Sequence, residues 1–418
     1  MVLRCWKRQN VVKVAAIVLM ELFVILLWGG ENLVSAQNQA ASTIRIGAAI
    51  SFSGPLAREG NSIAKGYELW AEEANEHGGL DVGGKKYKVQ LKLLDDKGDS
   101  STGVKLVEKL ITDDKVEFVF GPYGSGMTIA ASAVNEKYKK LMIAPMANAP
   151  DVYKRGFKYL FGLLPPANRG AGNHVNILRF LEPKPKTVAV VYPDDLFPSS
   201  TAKGIKEEAE KQGFKVVYFE KYPKGSKDLT PIISALQPIK PDVFITTGYM
   251  EDSVLLVRTS REMRFNVKYF GGLDLFLHED FLKALGNDAE DLFSHAWWDK
   301  VANMKSDVFG SANKVIELYE TKHHTEPNYY TISGVATGEV LQSALTKAGS
   351  LETDKIRAAL LKNQFHTSLL AVKYDDTGAN SSGSGVLIQI QKGKPVVVYP
   401  QELQQAKPVY PKPPWGNK

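Results

Sequence analysis

A glycine-rich turn between a predicted strand and a predicted helix carries the groups in this chain best suited to bind a ligand. Residues 121–128 contain three glycines and follow the short apolar run 116–120, and a helical pattern continues from 129 to 138. Bare backbone N–H groups and the hydroxyls of Ser125 and Thr128 are therefore expected to meet near the start of a helix, where the helix dipole favours negative charge. The sequence predicts that this turn binds an anion.

Patterns typical of enzymes are incomplete elsewhere in the chain. Ser62 and Lys65 have the S-x-x-K spacing of penicillin-binding enzymes, but the S-D-N and K-T-G motifs that accompany it are missing. The sequence contains no nucleophile elbow and no phosphate-binding P-loop, and the first strand–helix turn, residues 51–55, lacks the glycine pattern of dinucleotide-binding folds. The adjacent His323 and His324 diverge on a helix and cannot share one ion. The sequence therefore predicts a protein without catalytic activity, metal or cofactor.

The N-terminus has the features of a secretory signal peptide, residues 1–36. A basic head is followed by an apolar stretch at 14–28 and by small residues up to Ala36, after which cleavage is predicted. A membrane anchor is the competing interpretation, but Glu21 interrupts the apolar run, which is shorter than the roughly 20 residues of a spanning helix. The only cysteine, Cys5, lies inside this segment. Export without disulfides favours a periplasmic location.

Composition and charge are those of a globular protein of two or three domains. The 418 residues are 44% hydrophobic and 23% charged, and the formal net charge is +6. The basic residues are scattered and are not interleaved with aromatic residues. The sequence therefore does not favour nucleic-acid binding.

Short apolar runs alternate with amphipathic helical stretches along most of the chain. Such alternation predicts parallel sheets covered by helices on both faces. It begins near residue 44 and restarts after Pro165 and Pro166, which gives two halves of similar plan. The sequence therefore predicts an α/β fold with two similar doubly wound lobes. The proline-rich tail, residues 395–418, is expected either to lie extended along a lobe or to be disordered.

Several stretches, in their order and spacing, resemble the solute-binding proteins of ABC importers, of the branched-chain amino-acid (Leu/Ile/Val) binding type. These stretches are residues 44–47, 53–57, 66–69, 75–79, 94–99, 121–126, 145–150, 248–249 and 326–329. The resemblance implies a type I periplasmic binding fold, in which two lobes close on a ligand at the carboxyl ends of their strands. It also implies a three-segment hinge, with residues 43–165 and 300–367 in lobe 1 and residues 166–299 and 368–418 in lobe 2.

The same resemblance implies roles for individual residues of the cleft. The ligand carboxylate would lie at Ser125 and Gly126, and the segment Ala147-Asn148 would add a backbone carbonyl and an N–H group. Other segments would complete the site: Asp274 receives the ligand ammonium, Tyr249 contacts the ammonium side from lobe 2, Phe197 covers the ligand, Tyr329 lies near the hinge, and Glu59 in the first loop shapes the side-chain pocket.

Several features leave the ligand and the shape of its pocket open. Gly124 stands where the family commonly has a second hydroxyl residue, and Asn148 replaces a frequent threonine. The charges of Arg58 and Glu59 suit a polar ligand better than leucine. The pair Trp297-Trp298 follows a predicted strand end, where the two rings would line the pocket, or one would pack in a core and the other at a lobe junction.

These observations predict a monomeric periplasmic receptor that captures an amino acid or a related small carboxylate and delivers it to the membrane subunits of an ABC permease. A sensory ligand-binding protein of the same fold is one alternative, and a binder of an amide or an aromatic acid is another. An exported α/β enzyme is disfavoured, because no nucleophile–base pair is recognisable in the sequence.

Overall fold

The computed structural model describes residues 42–273, 279–298, 303–383 and 385–416. The predicted signal peptide, residues 1–36, and Asp274 lie outside these described residues. The described strands are β1 Ser42–Ile50, β2 Leu80–Val82, β3 Lys85–Asp95, β4 Phe118–Phe120, β5 Met142–Ala144, β6 Leu160–Gly162, β7 Thr187–Pro193, β8 Lys215–Tyr222, β9 Val243–Thr246, β10 Tyr269–Leu273, β11 Phe293–Ala296, β12 Lys305–Ser306, β13 Gly310–Ser311, β14 Gln364–His366, β15 Ala371–Lys373, β16 Val386–Gln391 and β17 Lys394–Tyr399.

The described α-helices are α1 Ala57–Glu76, α2 Ser100–Thr112, α3 Ser125–Tyr138, α4 Ala167–Leu178, α5 Leu196–Lys211, α6 Thr230–Leu236, α7 Met250–Glu262, α8 Glu279–Leu285, α9 Ala312–His323, α10 Tyr329–Ala348 and α11 Thr353–Lys362. Within the described residues, no helix has both the length and the apolar character needed to cross a membrane.

Two separate sheets form the cores of two lobes. Lobe 1 contains a six-stranded sheet of order β2-β3-β1-β4-β5-β6, and lobe 2 a seven-stranded sheet of order β17-β16-β11-β10-β9-β7-β8. Most neighbouring strands are parallel, whereas β2 and the pair β16–β17 are antiparallel additions at one edge of each sheet. The predicted α/β fold with two doubly wound, mainly parallel lobes is confirmed.

The central strands are almost continuously apolar because helices cover both faces of each sheet. All residues of β4 and of β9 are buried. Successive side chains of β4 point to opposite faces: Phe118 and Phe120 pack with α1 and α10, whereas Val119 packs with α2 and α3. The strand ends between these layers are therefore the places where polar groups can gather.

The helices α1 and α10 of lobe 1 cross at very short distance. A Cβ atom on Gly66 would come within 2.1 Å of the Thr331 carbonyl oxygen, and one on Gly334 within 2.3 Å of the Ile63 carbonyl oxygen. Only glycine leaves room for this approach. The crossing fixes the start of α10, which carries Tyr329, against the helix that carries Glu59.

Along the described residues the chain changes lobe three times. Strands β1 to β6 belong to lobe 1 and β7 to β11 to lobe 2; helices α9 to α11 with β14 and β15 then pack on the lobe 1 core, and β16 and β17 return to the lobe 2 sheet. The first and third crossings lie side by side, where Asn380 Nδ2 donates to the Leu163 carbonyl oxygen over 2.8 Å. The residue boundaries assigned to the lobes stay a prediction.

The proline-rich tail lies extended along lobe 2. Val409 N donates to Gln389 Oε1 over 2.8 Å, and Trp415 Nε1 donates to the Phe265 carbonyl oxygen over 2.8 Å. These bonds confirm the expectation of an extended tail as far as residue 416.

Candidate functional site

A narrow cleft lies between the two lobes. It occupies the edge where the parallel strands of both sheets end, because most of its lining residues follow β4, β5 and β6 in lobe 1 or β7, β9 and β11 in lobe 2. Ligands of open α/β folds bind at this edge. The lining residues are Tyr123, Gly124, Ser125, Met146, Asn148, Leu164, Phe197, Tyr249, Trp297 and Tyr329.

Ser125 places a hydroxyl group at the lobe 1 wall of the cleft. The helix α3 begins at Ser125, directly after Gly124, whose φ of 87° and ψ of 148° strain any residue other than glycine. This conformation accounts for a glycine at this position. Ser125 is 1% exposed, and its Oγ accepts a hydrogen bond from Ala149 N over 3.0 Å. The bond fixes the side chain and leaves the hydroxyl hydrogen to donate to a ligand.

Asn148 brings a second buried donor to the same wall. It is 3% exposed, and its backbone carbonyl oxygen accepts from Ala167 N over 2.7 Å, which fixes the main chain. Its side-chain Nδ2 has no hydrogen-bond partner among the described residues. Leaving a buried amide donor unpaired costs about 1–3 kcal/mol, so an acceptor on a ligand would recover that energy. We call Ser125 and Asn148 the donor pair.

Other groups expected at this anion site have different positions or partners. The Thr128 hydroxyl donates to the Gly124 carbonyl oxygen over 2.9 Å within its own helix, so the expectation that it faces the anion is wrong. The Ala147 carbonyl oxygen accepts from the Tyr153 hydroxyl. Neither Ala147 nor Gly126 is among the residues that line the cleft. The roles of these two residues in binding stay predictions.

Aromatic side chains form much of the remaining cleft surface. Phe197 and Tyr249 approach from lobe 2, half-buried, with ring centroids 6.1 Å apart. Tyr329 begins α10 and is 2% exposed, and Trp297 follows β11 at a lobe crossing. Trp297 therefore lines the cleft, whereas Trp298 packs against the lobe 1 core.

Arg58 and Glu59 lie outside the lining of the cleft, and Arg58 connects the lobes beside it. Arg58 Nη1 reaches from α1 to lobe 2, where it lies 3.2 Å from Asp280 Oδ2 and 3.2 Å from Met250 Sδ. Glu59 Oε1 lies 3.6 Å from Arg58 Nε. Burial raises the pKa of the Glu59 carboxyl, and the negative charge of Glu251 raises it further. The shaping of a side-chain pocket by Glu59 stays a prediction.

The predicted ammonium-binding residue, Asp274, lies outside the described residues. Strand β10 ends at Leu273, directly before it, on the edge of the sheet that faces the cleft. Among the described residues, no group of three or more His, Cys, Asp and Glu side chains is arranged to hold a metal ion.

Sequence reasoning missed three lobe 1 residues of the cleft: Tyr123, Met146 and Leu164. Each of them lies two or three residues beyond the end of a parallel strand, β4, β5 or β6. Because the carboxyl ends of parallel strands meet at one edge, the position of Tyr123 and Met146 after apolar runs of the sequence was a usable signal, whereas no strand was predicted before Leu164.

Comparisons with known proteins agree with this geometry. A family model described as periplasmic binding protein matches residues 43–394. The chain is 27% identical to the Leu/Ile/Val-binding protein homolog 8 of Brucella suis over 386 residues, which cover 89% of this chain and 94% of that protein. The fold is similar to that of the leucine binding protein LivK of Thermotoga maritima, with a TM-score of 0.74 at 21% identity and coverage of 85% and 97%. It is also similar to an ABC transporter solute-binding protein of R. palustris in complex with benzoate, with a TM-score of 0.71 at 17% identity and coverage of 85% and 96%.

Proposed function

Since the chain belongs to the periplasmic binding protein family, we propose that it is a substrate-binding receptor of the periplasm. It captures an amino acid or a related small carboxylate between its lobes and delivers the ligand to the membrane subunits of an ABC importer. The Brucella relative is similar to the chain over 94% of its own length, which supports a shared role for the whole protein. We infer that the signal peptide is removed near Ala36 and that the mature receptor is a monomer.

The donor pair carries this proposal. Ser125 and Asn148 are buried hydrogen-bond donors at the cleft, and Ser125 begins α3, whose dipole adds positive potential. A ligand carboxylate would supply the acceptor that Asn148 Nδ2 lacks among the described residues. A hydrogen bond to a charged group contributes about 1.5–3 kcal/mol, which is enough to make the carboxylate a main determinant of affinity.

The names of the relatives make α-amino acids the first ligands to test. The Brucella relative is named for leucine, isoleucine and valine, and the Thermotoga protein for leucine. We propose that Asp274, directly after β10, receives the ligand ammonium and that Gly126 and Ala147 contribute backbone groups at the ligand carboxylate. We further propose that Glu59, at the edge of the cleft, shapes the pocket for the ligand side chain.

An aromatic carboxylate is the second candidate, because aromatic rings form so much of the cleft. Phe197, Tyr249, Trp297 and Tyr329 all line it, and aromatic rings pack favourably at centroid distances of about 4.5–7 Å. The related fold in complex with benzoate agrees with this candidate. A sensory receptor for the same ligands would differ only in its partner.

Thermal unfolding of the mature chain with a panel of small molecules tests the proposal. The panel contains the common α-amino acids, their carboxamides, and carboxylates without an amine, including benzoate. A ligand at 100 times its dissociation constant raises the free energy of unfolding by about 2.7 kcal/mol. We expect an α-amino acid to stabilise the protein and to be recovered unchanged. Stabilisation by amine-free carboxylates alone would contradict the role of Asp274, and chemical conversion of the ligand would contradict a receptor.

The substitution Ser125→Ala, with Thr128→Val as its matched control, tests the donor pair. Ser125→Ala removes a donor from the cleft and should weaken binding by about 10- to 100-fold in isothermal titration calorimetry. Thr128→Val removes a hydroxyl from the same helical turn, but that hydroxyl is bonded inside the helix. Its effect on affinity should stay below about threefold. Equal losses in the two variants would mean that the helix start is only structural.

A further inference from the structure

Asp195 joins the two aromatic residues that lobe 2 contributes to the cleft. Its Oδ1 accepts from Leu196 N over 2.8 Å at the start of α5, and its Oδ2 accepts from Tyr249 Oη over 3.2 Å. Phe197 is the second residue of α5. One carboxylate therefore fixes both the helix start that carries Phe197 and the tip of the Tyr249 side chain.

Tyr249 is held at two points along its length. Its backbone N donates to Asp252 Oδ2 over 3.1 Å at the start of α7, so Asp252 fixes the main chain. The bond to Asp195 holds the opposite end of the side chain and thereby selects among the rotamers open to the ring. In the selected rotamer the Tyr249 ring lies 6.1 Å from the ring of Phe197, within the range of favourable aromatic packing.

The same carboxylate also lies close to lobe 1. A Cβ atom on Gly126, the second residue of α3, would lie 3.9 Å from Asp195 Oδ1. Lys224 Nζ lies 2.7 Å from Asp195 Oδ2, so a cation compensates the negative charge. This ion pair reduces the repulsion that the Asp195 carboxylate would exert on an anionic ligand near the start of α3.

We propose that Asp195 is a positioning residue, which fixes Tyr249 and Phe197 as the lobe 2 wall of the cleft and thereby sets ligand affinity. The inference rests on the function proposed above. Asp195 acts through the two rings, against which the ligand side chain packs. Asp195→Ala should lower affinity by about tenfold. Asp195→Asn keeps an acceptor oxygen and the size of the side chain, and should restore most of that loss.

A ring reporter tests the positioning without any ligand. Tyr249 is replaced by 3-fluorotyrosine, and its 19F signal is compared in the otherwise unchanged chain, in Asp195→Ala and in Lys224→Gln. The signal should move and broaden in Asp195→Ala, where the ring gains freedom. Lys224→Gln removes the ion pair but keeps the bond between Asp195 and Tyr249, so its signal should stay close to that of the parent. An unchanged signal in Asp195→Ala, or equal changes in both variants, would overturn the proposal.

Calorimetry with the most stabilising member of the ligand panel tests the effect on affinity. The proposal is supported if Asp195→Ala lowers affinity by about tenfold and if adding Tyr249→Phe to the same chain lowers it little further. Both changes break the same hydrogen bond, so their effects should not add. Unchanged affinity in Asp195→Ala overturns it, and so do fully additive losses, which would mean that Asp195 acts through general stability. If the unaltered chain binds no panel member, the proposed function fails, while a 19F change in Asp195→Ala still supports the positioning of Tyr249.

Discussion

The two walls of the cleft differ in burial and in chemistry. On the lobe 1 wall, Ser125, Asn148 and Tyr329 are at most 3% exposed, and the donor pair offers N–H and O–H groups to a ligand. On the lobe 2 wall, Phe197 and Tyr249 are only half-buried, and the Tyr249 hydroxyl is bonded to Asp195. Lobe 1 therefore presents fixed polar groups beside apolar and aromatic surface, whereas the described lobe 2 residues that line the cleft present only aromatic side chains.

This difference divides recognition of a ligand between the lobes. A buried donor without an acceptor on the ligand has no water molecule to bond instead. A ligand that lacks this acceptor therefore loses much of its binding free energy at the lobe 1 wall. A half-exposed ring can shift slightly and still cover apolar surface. We therefore expect lobe 1 to select the carboxylate of the ligand and the rings of lobe 2 to tolerate more variation in its side chain.

The substitution Asn148→Asp tests the different roles of the two walls most directly, and we expect it to have the largest effect on affinity. It replaces a donor with a negative charge beside the predicted carboxylate position. Two such charges about 4 Å apart repel by about 4 kcal/mol at an effective dielectric constant of 20, so binding should fall by about 100- to 1,000-fold. On the lobe 2 wall, Tyr249→Phe should cost less than about tenfold. Calorimetry on both variants measures the contrast.

The carboxamide of the same amino acid is the control for this charge effect. It lacks the negative charge, so Asn148→Asp should weaken its binding far less than that of the free acid. Equal losses for acid and amide, or a greater loss in Tyr249→Phe than in Asn148→Asp, would contradict the division between the walls.

Behind the lobe 1 wall, a buried carboxyl group should couple stability to pH. Glu339 on α10 is 1% exposed; its Oε2 accepts from Ser368 N over 2.9 Å and from Ser368 Oγ over 2.7 Å, and its Oε1 accepts from Ser306 Oγ. Burial raises the pKa of Glu339 to about 7, from an ordinary value of 4.5. Folding therefore favours the protonated acid, and this stabilisation is complete below pH 4.5 and is lost as the pH rises through 7.

Glu339→Gln, which resembles the protonated acid, isolates that contribution. Its free energy of unfolding relative to the unaltered chain should rise by about 2.5 kcal/mol between pH 5 and 7.5. Denaturant unfolding at a series of pH values measures the difference. The same substitution at an exposed position, Glu317→Gln, is the control. A level curve for Glu339→Gln would show that the buried group does not take up a proton.

Sequence patterns predicted the residues that line the cleft better than the contacts that hold those residues in place. The alternation of strands and helices predicted both sheets, and the turn before α3 led to Ser125, because local order along the chain encodes these features. A local pattern does not say which residues after a strand end face the cleft, so Met146 and Leu164, which follow β5 and β6, were missed. The bond between Asp195 and Tyr249 spans 54 residues, and no local pattern marks it.

A buried histidine behind the lobe 2 wall should couple stability to pH in the opposite direction. His174 Nε2 lies 3.1 Å from the Gly272 carbonyl oxygen and Nδ1 lies 2.6 Å from Tyr269 Oη. Since a carbonyl oxygen only accepts, Nε2 carries the proton and Nδ1 accepts from the tyrosine hydroxyl. Burial lowers the pKa of His174 to about 3, from an ordinary value of 6.5. Folding thus favours neutral imidazole, and this stabilisation, complete above pH 6.5, is lost as the pH falls toward 3.

His174→Gln therefore completes the comparison of the lobes. Its free energy of unfolding relative to the unaltered chain should rise by about 2 kcal/mol as the pH falls from 7.5 to 5. The same substitution at an exposed position, His77→Gln, is the control. A level curve for His174→Gln would contradict the neutral buried ring. Because the contributions of Glu339 and His174 have opposite signs, they nearly cancel in the unaltered chain between pH 5 and 7. Replacing the buried group of one lobe should therefore reveal how the buried group of the other lobe makes the free energy of unfolding depend on pH.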